Sequence, residues 1–124
     1  MCGIFGIVTK NNEHIERVSL DAMCSSLSHR GPDDHGTLGF PNCTLGQTRL
    51  SIIDLSTGHQ PMRDNQRNIS ITFNGEIYNY RELKKKLKNK GHKFSTKSDT
   101  EVILKTYIEY GIDCPKYLDG MFAF

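Results

Sequence analysis

What this sequence lacks narrows its possible functions before any motif is weighed. It has no C-x-x-C pair, so neither a dithiol redox centre nor a zinc-ribbon site is indicated. Its histidines, His29 and His59 among them, show no metal-ligand spacing, and no metal is expected. No Walker-type glycine loop or other phosphate loop stands out. No apolar run approaches the ~20 residues of a membrane span, and residues 4–8 are too short and too poor in flanking basic charge for a signal peptide. With 16 basic and 14 acidic residues the formal net charge is only +2, which gives no general reason to invoke nucleic acid or an anionic membrane. Neither an internal repeat nor a low-complexity linker is present. A soluble, cytoplasmic and reducing setting follows as an expectation, with Cys2, Cys24, Cys43 and Cys114 as free thiols.

What remains is enough for one domain. A chain of 124 residues has room for a single core, although its apolar content of 36% is at the low end. Residues 3–9 read as a buried strand, and Asn11 and Asn12 as a turn. Ile15, Val18, Ala22, Met23 and Leu27 recur at helical spacing, until Gly31 and Pro32 break the pattern. Two short strands are expected over 36–40 and 43–50, joined at Pro41 and Asn42, followed by a loop over 56–66. Residues 68–73 alternate as a strand and end at Asn74-Gly75, a strong turn signal. Two helices follow. One begins at Asn79-x-x-Glu82, which resembles a capping box, presents Leu83 and Leu87 on one face and stops at Gly91. The other begins at Ser98-x-x-Glu101 and stops at Gly111. The run Lys84, Lys85, Lys86, Lys88, Lys90 lies opposite Leu83 and Leu87 and reads as a solvated face. An apolar strand begins at Gly120, and the chain stops inside it, so that a truncated domain is expected.

Few residues suggest chemistry, and each is weak alone. Cys2 follows the initiator Met1; once Met1 is removed, its own α-amino group, titrating near ~7.7–8.0, lies beside the thiol as a general base. A cysteine at position two is nevertheless a single-residue signal. Asn74 and Gly75 offer a side-chain amide and a backbone N–H that can aim at one oxyanion, but the same pair makes an ordinary hairpin turn. Arg49 presents a fork suited to a carboxylate and Asp99 can receive an ammonium, while a surface strand arginine and a helix-end aspartate look the same.

Order supplies the specificity that single residues lack. MCGIFGIV (1–8), HRGPDD (29–34), RLSIIDLS (49–56), GHQPM (58–62), NGEIYNY (74–80), SDTE (98–101) and LDGMFAF (118–124) follow one another from end to end. In this the chain resembles the N-terminal glutaminase domain of glutamine-hydrolysing asparagine synthetases, which are class II (N-terminal nucleophile) amidotransferases. The resemblance implies an α+β fold, an Ntn-hydrolase-like αββα sandwich of two antiparallel sheets flanked by helices, with its C-terminal part missing. It implies that residues 1–124 are part of one amidotransferase domain and that Cys2 attacks the side-chain amide of L-glutamine. Asn74 and Gly75 then hold the oxyanion, Arg49 the substrate carboxylate, and Glu76 and Asp99 its ammonium. The backbone of Leu50, Ser51, Ile52 and Ile53 lines the pocket. No cofactor is expected in this chain; ATP and Mg belong to a C-terminal synthetase domain, the natural partner, with a homodimer of the full-length protein as a further expectation. Gln47 and Thr48 depart from the family, which often has a histidine and another polar or basic residue there, but both positions fall outside the implied chemistry. Two alternatives stay open at this level: a glutamine-binding remnant without turnover, and the glutaminase of a class II amidotransferase with another acceptor.

Overall fold

The computed structural model describes residues 2–10, 15–50 and 58–124. The expected turn at Asn11-Asn12 lies outside them. The chain runs β1 (Gly3–Val8), α1 (Arg17–Leu27), β2 (Asp34–Phe40), β3 (Cys43–Arg49), β4 (Met62–Asp64), β5 (Ile69–Ile71), β6 (Asn74–Ile77), α2 (Tyr80–Asn89), α3 (Asp99–Tyr110), a 3-10 helix (Gly111–Tyr117) and β7 (Gly120–Ala123). Helices and small antiparallel sheets are mixed, as an α+β domain requires.

β3 is the central strand of a three-stranded antiparallel sheet ordered β1-β3-β2. Residues Gly46, Gln47, Thr48 and Arg49 are all buried, without the alternation of a half-exposed strand, because both faces of β3 are covered. Thr48 Oγ1 donates to Leu27 O at the end of α1 (3.0 Å). On the other face Gln47 Nε2 donates to Phe73 O (2.9 Å), and Thr72 Oγ1 donates to Gly46 O (3.1 Å).

The apolar core lies further along the chain. Ile71, Phe73, Ile77, Leu83, Leu87, Val102, Ile103, Leu104 and Cys114 pack together between the short strands and helices α2 and α3. Leu83 and Leu87 form the narrow buried stripe of α2, and Lys85, Lys86 and Lys88 are exposed as the sequence pattern implies. Lys84 departs from that face, half-buried with its Nζ donating to Thr96 O (2.7 Å). α3 is buried from Thr100 through Leu104, so its polar residues must find internal partners. Thr106 Oγ1 donates to Val102 O one turn back (2.7 Å). Burial also pushes the Cys114 thiol up to about 11, which makes it unreactive at neutral pH.

Three local expectations are corrected. The loop expected over 56–66 contains, in its described part, the strand β4, paired with β5 as Met62↔Ile71, Arg63↔Ser70 and Asp64↔Ile69. Asp64 makes this hairpin: its Oδ1 accepts from Gln66 N and Arg67 N (3.0 Å each), while its Oδ2 takes Lys105 Nζ of α3 at 2.7 Å. Next, Asn74-Gly75 is no turn but the start of β6, paired with β7 as Asn74↔Ala123 and Gly75↔Phe122. Finally, Asn79 does not cap α2. Its amide instead joins the segment between the 3-10 helix and β7, donating to Tyr117 O (3.0 Å) and accepting from Asp119 N (3.1 Å).

The second expected capping box is half realised. Ser98 Oγ accepts from Thr100 N (3.1 Å), as an N-cap should, but Glu101 turns to the preceding loop. Its Oε1 accepts from Ser95 N and Oγ (2.9 and 3.1 Å), and its Oε2 from Thr96 N and Oγ1 (2.7 Å each). Burial would raise this carboxyl, yet the four donors prevail and hold it below the usual carboxylate range. Glu101→Gln turns an amide N–H₂ toward donors and should cost about 1–3 kcal/mol at pH 7. The ionised form stabilises the fold above the unfolded-state pKa, near ~4.3, and that contribution is lost as pH falls through the lower folded value. Thermal unfolding followed from pH 7 downward should therefore show the gap between parent and variant closing below about pH 4.

Candidate active site

Backbone neighbours build the site before any side chain enters it. Cys2 directly precedes β1, and its carbonyl accepts from Arg30 Nε (3.1 Å). Arg49 ends β3; its carbonyl accepts from Asp33 N (3.0 Å), and Pro32 bridges to it in parallel. Gly31 permits that approach, since a Cβ there would lie 2.4 Å from Arg49 N and from Thr48 C. The segment 29–34, a helix breaker and one of the ordered motifs in the sequence, thus braces both Cys2 and Arg49.

From the opposite side come β6 and the N-terminus of α3. Gly75 has φ +146°, and a Cβ on it would sit 2.1 Å from Met121 O, so both its backbone conformation and its contact with β7 demand glycine. Asp99 Oδ2 accepts from Ile77 N (3.3 Å), which ties the start of α3 to the end of β6.

These elements enclose a cleft of about 320 Å³, within the ~300–1,000 Å³ range of small-molecule sites. Cys2, Arg49, Leu50, Asn74, Gly75, Glu76 and Asp99 all line it. Ser51, Ile52 and Ile53, the rest of the expected pocket lining, lie outside the described residues, as does Met1. The Cys2 thiol is half-buried, and its Sγ donates weakly to Leu50 O at 3.9 Å. Arg49 is buried, contrary to the surface-strand alternative, while Glu76 is exposed at the rim. Burial raises the Asp99 carboxyl above its ordinary value; N–H donors from Ile77 and Thr100 pull the other way, and the Glu76 charge adds to the rise.

Other lining residues escaped the sequence reading. Gln60 and Thr100 face the cleft, joined by Gln60 Nε2 donating to Thr100 Oγ1 (3.0 Å). Gln60 Oε1 also accepts from Phe73 N (2.7 Å). Gln47, which the resemblance placed outside the chemistry, holds Phe73 O and so lies one residue from Asn74. Only GHQPM (58–62) and the departure at position 47 hinted at these two glutamines. Among the described residues no group of three or more His, Cys, Asp and Glu side chains gathers as a metal site would need. No helix among them is long and apolar enough to cross a membrane.

A thiol, an arginine fork, two carboxylates and an amide facing one small cleft are the groups that a thiol-dependent hydrolase of an amino-acid amide requires. The glutamine amidotransferase domain family matches residues 1–124, and the chain belongs to this family. Along its whole length it is 42% identical, over 127 aligned residues, to asparagine synthetase [glutamine-hydrolyzing] 3 of Bacillus subtilis (strain 168). The identity is 43% over 125 residues to asparagine synthetase [glutamine-hydrolyzing] 1 of Arabidopsis thaliana, and 42% over 125 residues to the asparagine synthetase [glutamine-hydrolyzing] of Zea mays. The chain spans about a fifth (21%) of the length of each of these relatives.

Proposed function

We propose that this chain is the glutaminase half of an asparagine synthetase-type amidotransferase, with Cys2 as nucleophile after loss of Met1. One observation carries the reading: four separate elements bring Cys2, Arg49, Asn74, Gly75 and Asp99 to the walls of one cleft. Arg49 takes the glutamine carboxylate bidentately, and Asp99 with Glu76 takes its ammonium. Leu50, Ser51, Ile52 and Ile53 complete the pocket wall. The Cys2 α-amine receives the thiol proton as Sγ attacks the side-chain carbonyl carbon. The Asn74 amide and the Gly75 N–H receive the charge that develops on the carbonyl oxygen. Collapse breaks the C–N bond and releases ammonia with the transferred proton. Water then cleaves the glutamyl thioester, giving glutamate and the free thiol. The ammonia passes to an activated aspartate in an ATP- and Mg-dependent synthetase domain. The β1-β3-β2 sheet and the β6-β7 pair belong, in this reading, to the two facing layers of an αββα sandwich.

The Asp99 carboxylate gives the reading a test that separates binding from folding. Because burial disfavours its anion, the folded chain holds that proton to higher pH than the unfolded chain does, and stability falls as pH rises between the two values. Asp99→Asn removes a desolvated charge, so at pH 7 its melting temperature should match or exceed the parent's. The ammonium, however, loses its charged partner, and KM for glutamine should rise about 30-fold or more. In the parent, KM should climb as pH falls through the raised Asp99 pKa, before ordinary carboxylates protonate; in Asp99→Asn that limb should vanish. An Asn variant with parental KM and an unchanged KM–pH profile would refute the ammonium assignment.

A further inference from the structure

Phe73, the residue just before Asn74, is held at both its backbone N–H and its C=O by side-chain amides. Gln60 Oε1 accepts from Phe73 N (2.7 Å), and Gln47 Nε2 donates to Phe73 O (2.9 Å). Phe73 is buried and follows the last residue of β5 by two positions, so its backbone lies between two short sheets rather than inside a ladder. Without these amides its N–H and C=O would be buried and unpaired. Gln60 does more than satisfy them. Its Nε2 donates to Thr100 Oγ1 (3.0 Å), one residue beyond Asp99 on α3. A single side chain thus spans the neighbours of Asn74 and of Asp99. Gln47 in turn is almost wholly buried (1% exposed), and among the described residues its Oε1 has no partner. A buried acceptor left unpaired is unfavourable, and it marks an amide oriented to serve Phe73 O rather than to satisfy itself.

We propose that Gln60, with Gln47 as its counterpart, is a positioning residue that fixes the Asn74 amide at the oxyanion by clamping the Phe73 backbone at its N–H and its C=O. The inference rests on the oxyanion role given to Asn74 above. Thr100 has a second anchor, its N–H on Ser98 Oγ, so loss of Gln60 falls on the Phe73 side rather than on Asp99. The effect should appear in kcat, where the oxyanion develops, and not in KM.

The test uses glutamine hydrolysis by the intact protein. Gln60→Met removes both polar atoms at similar volume and should lower kcat roughly 10-fold to 10²-fold, with KM within about threefold. Gln60→Glu keeps an acceptor for Phe73 N–H and should return kcat to within about fivefold of the parent. In an Asn74→Ala background the same Gln60→Met change should cost less than about twofold, because the amide it positions is gone. Undiminished kcat in Gln60→Met, or a full loss repeated in the Asn74→Ala background, would overturn the positioning role. If Gln60→Met does not fold, Gln47→Met removes the opposite hold and is read by the same kcat and background criteria. Parental kcat in Asn74→Ala alone would instead reject the oxyanion reading, so the two failures are distinct.

Discussion

Cys2→Ala should abolish glutamine hydrolysis in the intact protein, with kcat falling at least ~10⁴-fold, as when a covalent nucleophile is removed. The variant should fold as the parent does, because among the described residues the half-buried thiol makes one weak, long hydrogen bond, to Leu50 O. No other cysteine lines the cleft: Cys43 begins β3, paired with Val8 at the opposite end of the strand from Arg49. Cys114 is buried with its thiol pushed up to about 11. Burial and the nearby Asp21 raise the Cys24 thiol as well, and Cys24 lies on α1, away from the cleft lining. Circular dichroism and melting temperature unchanged beside lost turnover would separate chemistry from folding. Residual turnover above about a tenth of the parent's would not fit a thioester on Cys2.

Asn74→Ala is expected to have the next largest effect, on the order of 10²–10³ in kcat, the loss typical of one oxyanion donor. KM should move little, since the amide meets the carbonyl oxygen most strongly once it bears charge. β6 should survive the change, because Asn74 pairs with Ala123 through its backbone. Asn74→Asp offers a sharper comparison: it keeps the shape of the side chain but places a negative charge where the oxyanion forms. It should therefore be at least as slow as Asn74→Ala. Steady-state kcat and KM for both variants would check this, and an Asp variant faster than the Ala variant would contradict the assignment.

Much of this site could be read from sequence because its parts are carried by compact local motifs. Cys2, Arg49, Asn74 and Asp99 each stand in a short run with a recognisable order, and the cleft gathers all four. The reading failed where a partner lies far along the chain. Asn74-Gly75 has the composition of a tight turn, but its ladder partners Ala123 and Phe122 are almost fifty residues away, and no local signal announces them. Asn79 failed as a cap for the same reason, since its amide binds Tyr117 and Asp119. At Ser98 the local rule held for the hydroxyl and broke for Glu101, whose carboxylate found better donors in the loop from Ser95 to Thr96. β4 was hidden because three residues, Met62, Arg63 and Asp64, are too few to show a period. Gln47 and Gln60 were the deepest omission. Their role lies in holding another residue's backbone, and periodicity and motif spacing are blind to that.

The central claim is that the Cys2 thiol, at a mature N-terminus, is the nucleophile that meets glutamine. Its most direct test is peptide mass mapping of the intact protein after reaction with a glutamine-mimicking chloromethyl ketone. The expected result is one adduct per chain, on Cys2 of a peptide lacking Met1, blocked by excess glutamine and absent from Cys2→Ala. An adduct on Cys24, Cys43 or Cys114, or full glutaminase activity in protein that retains Met1, would contradict it.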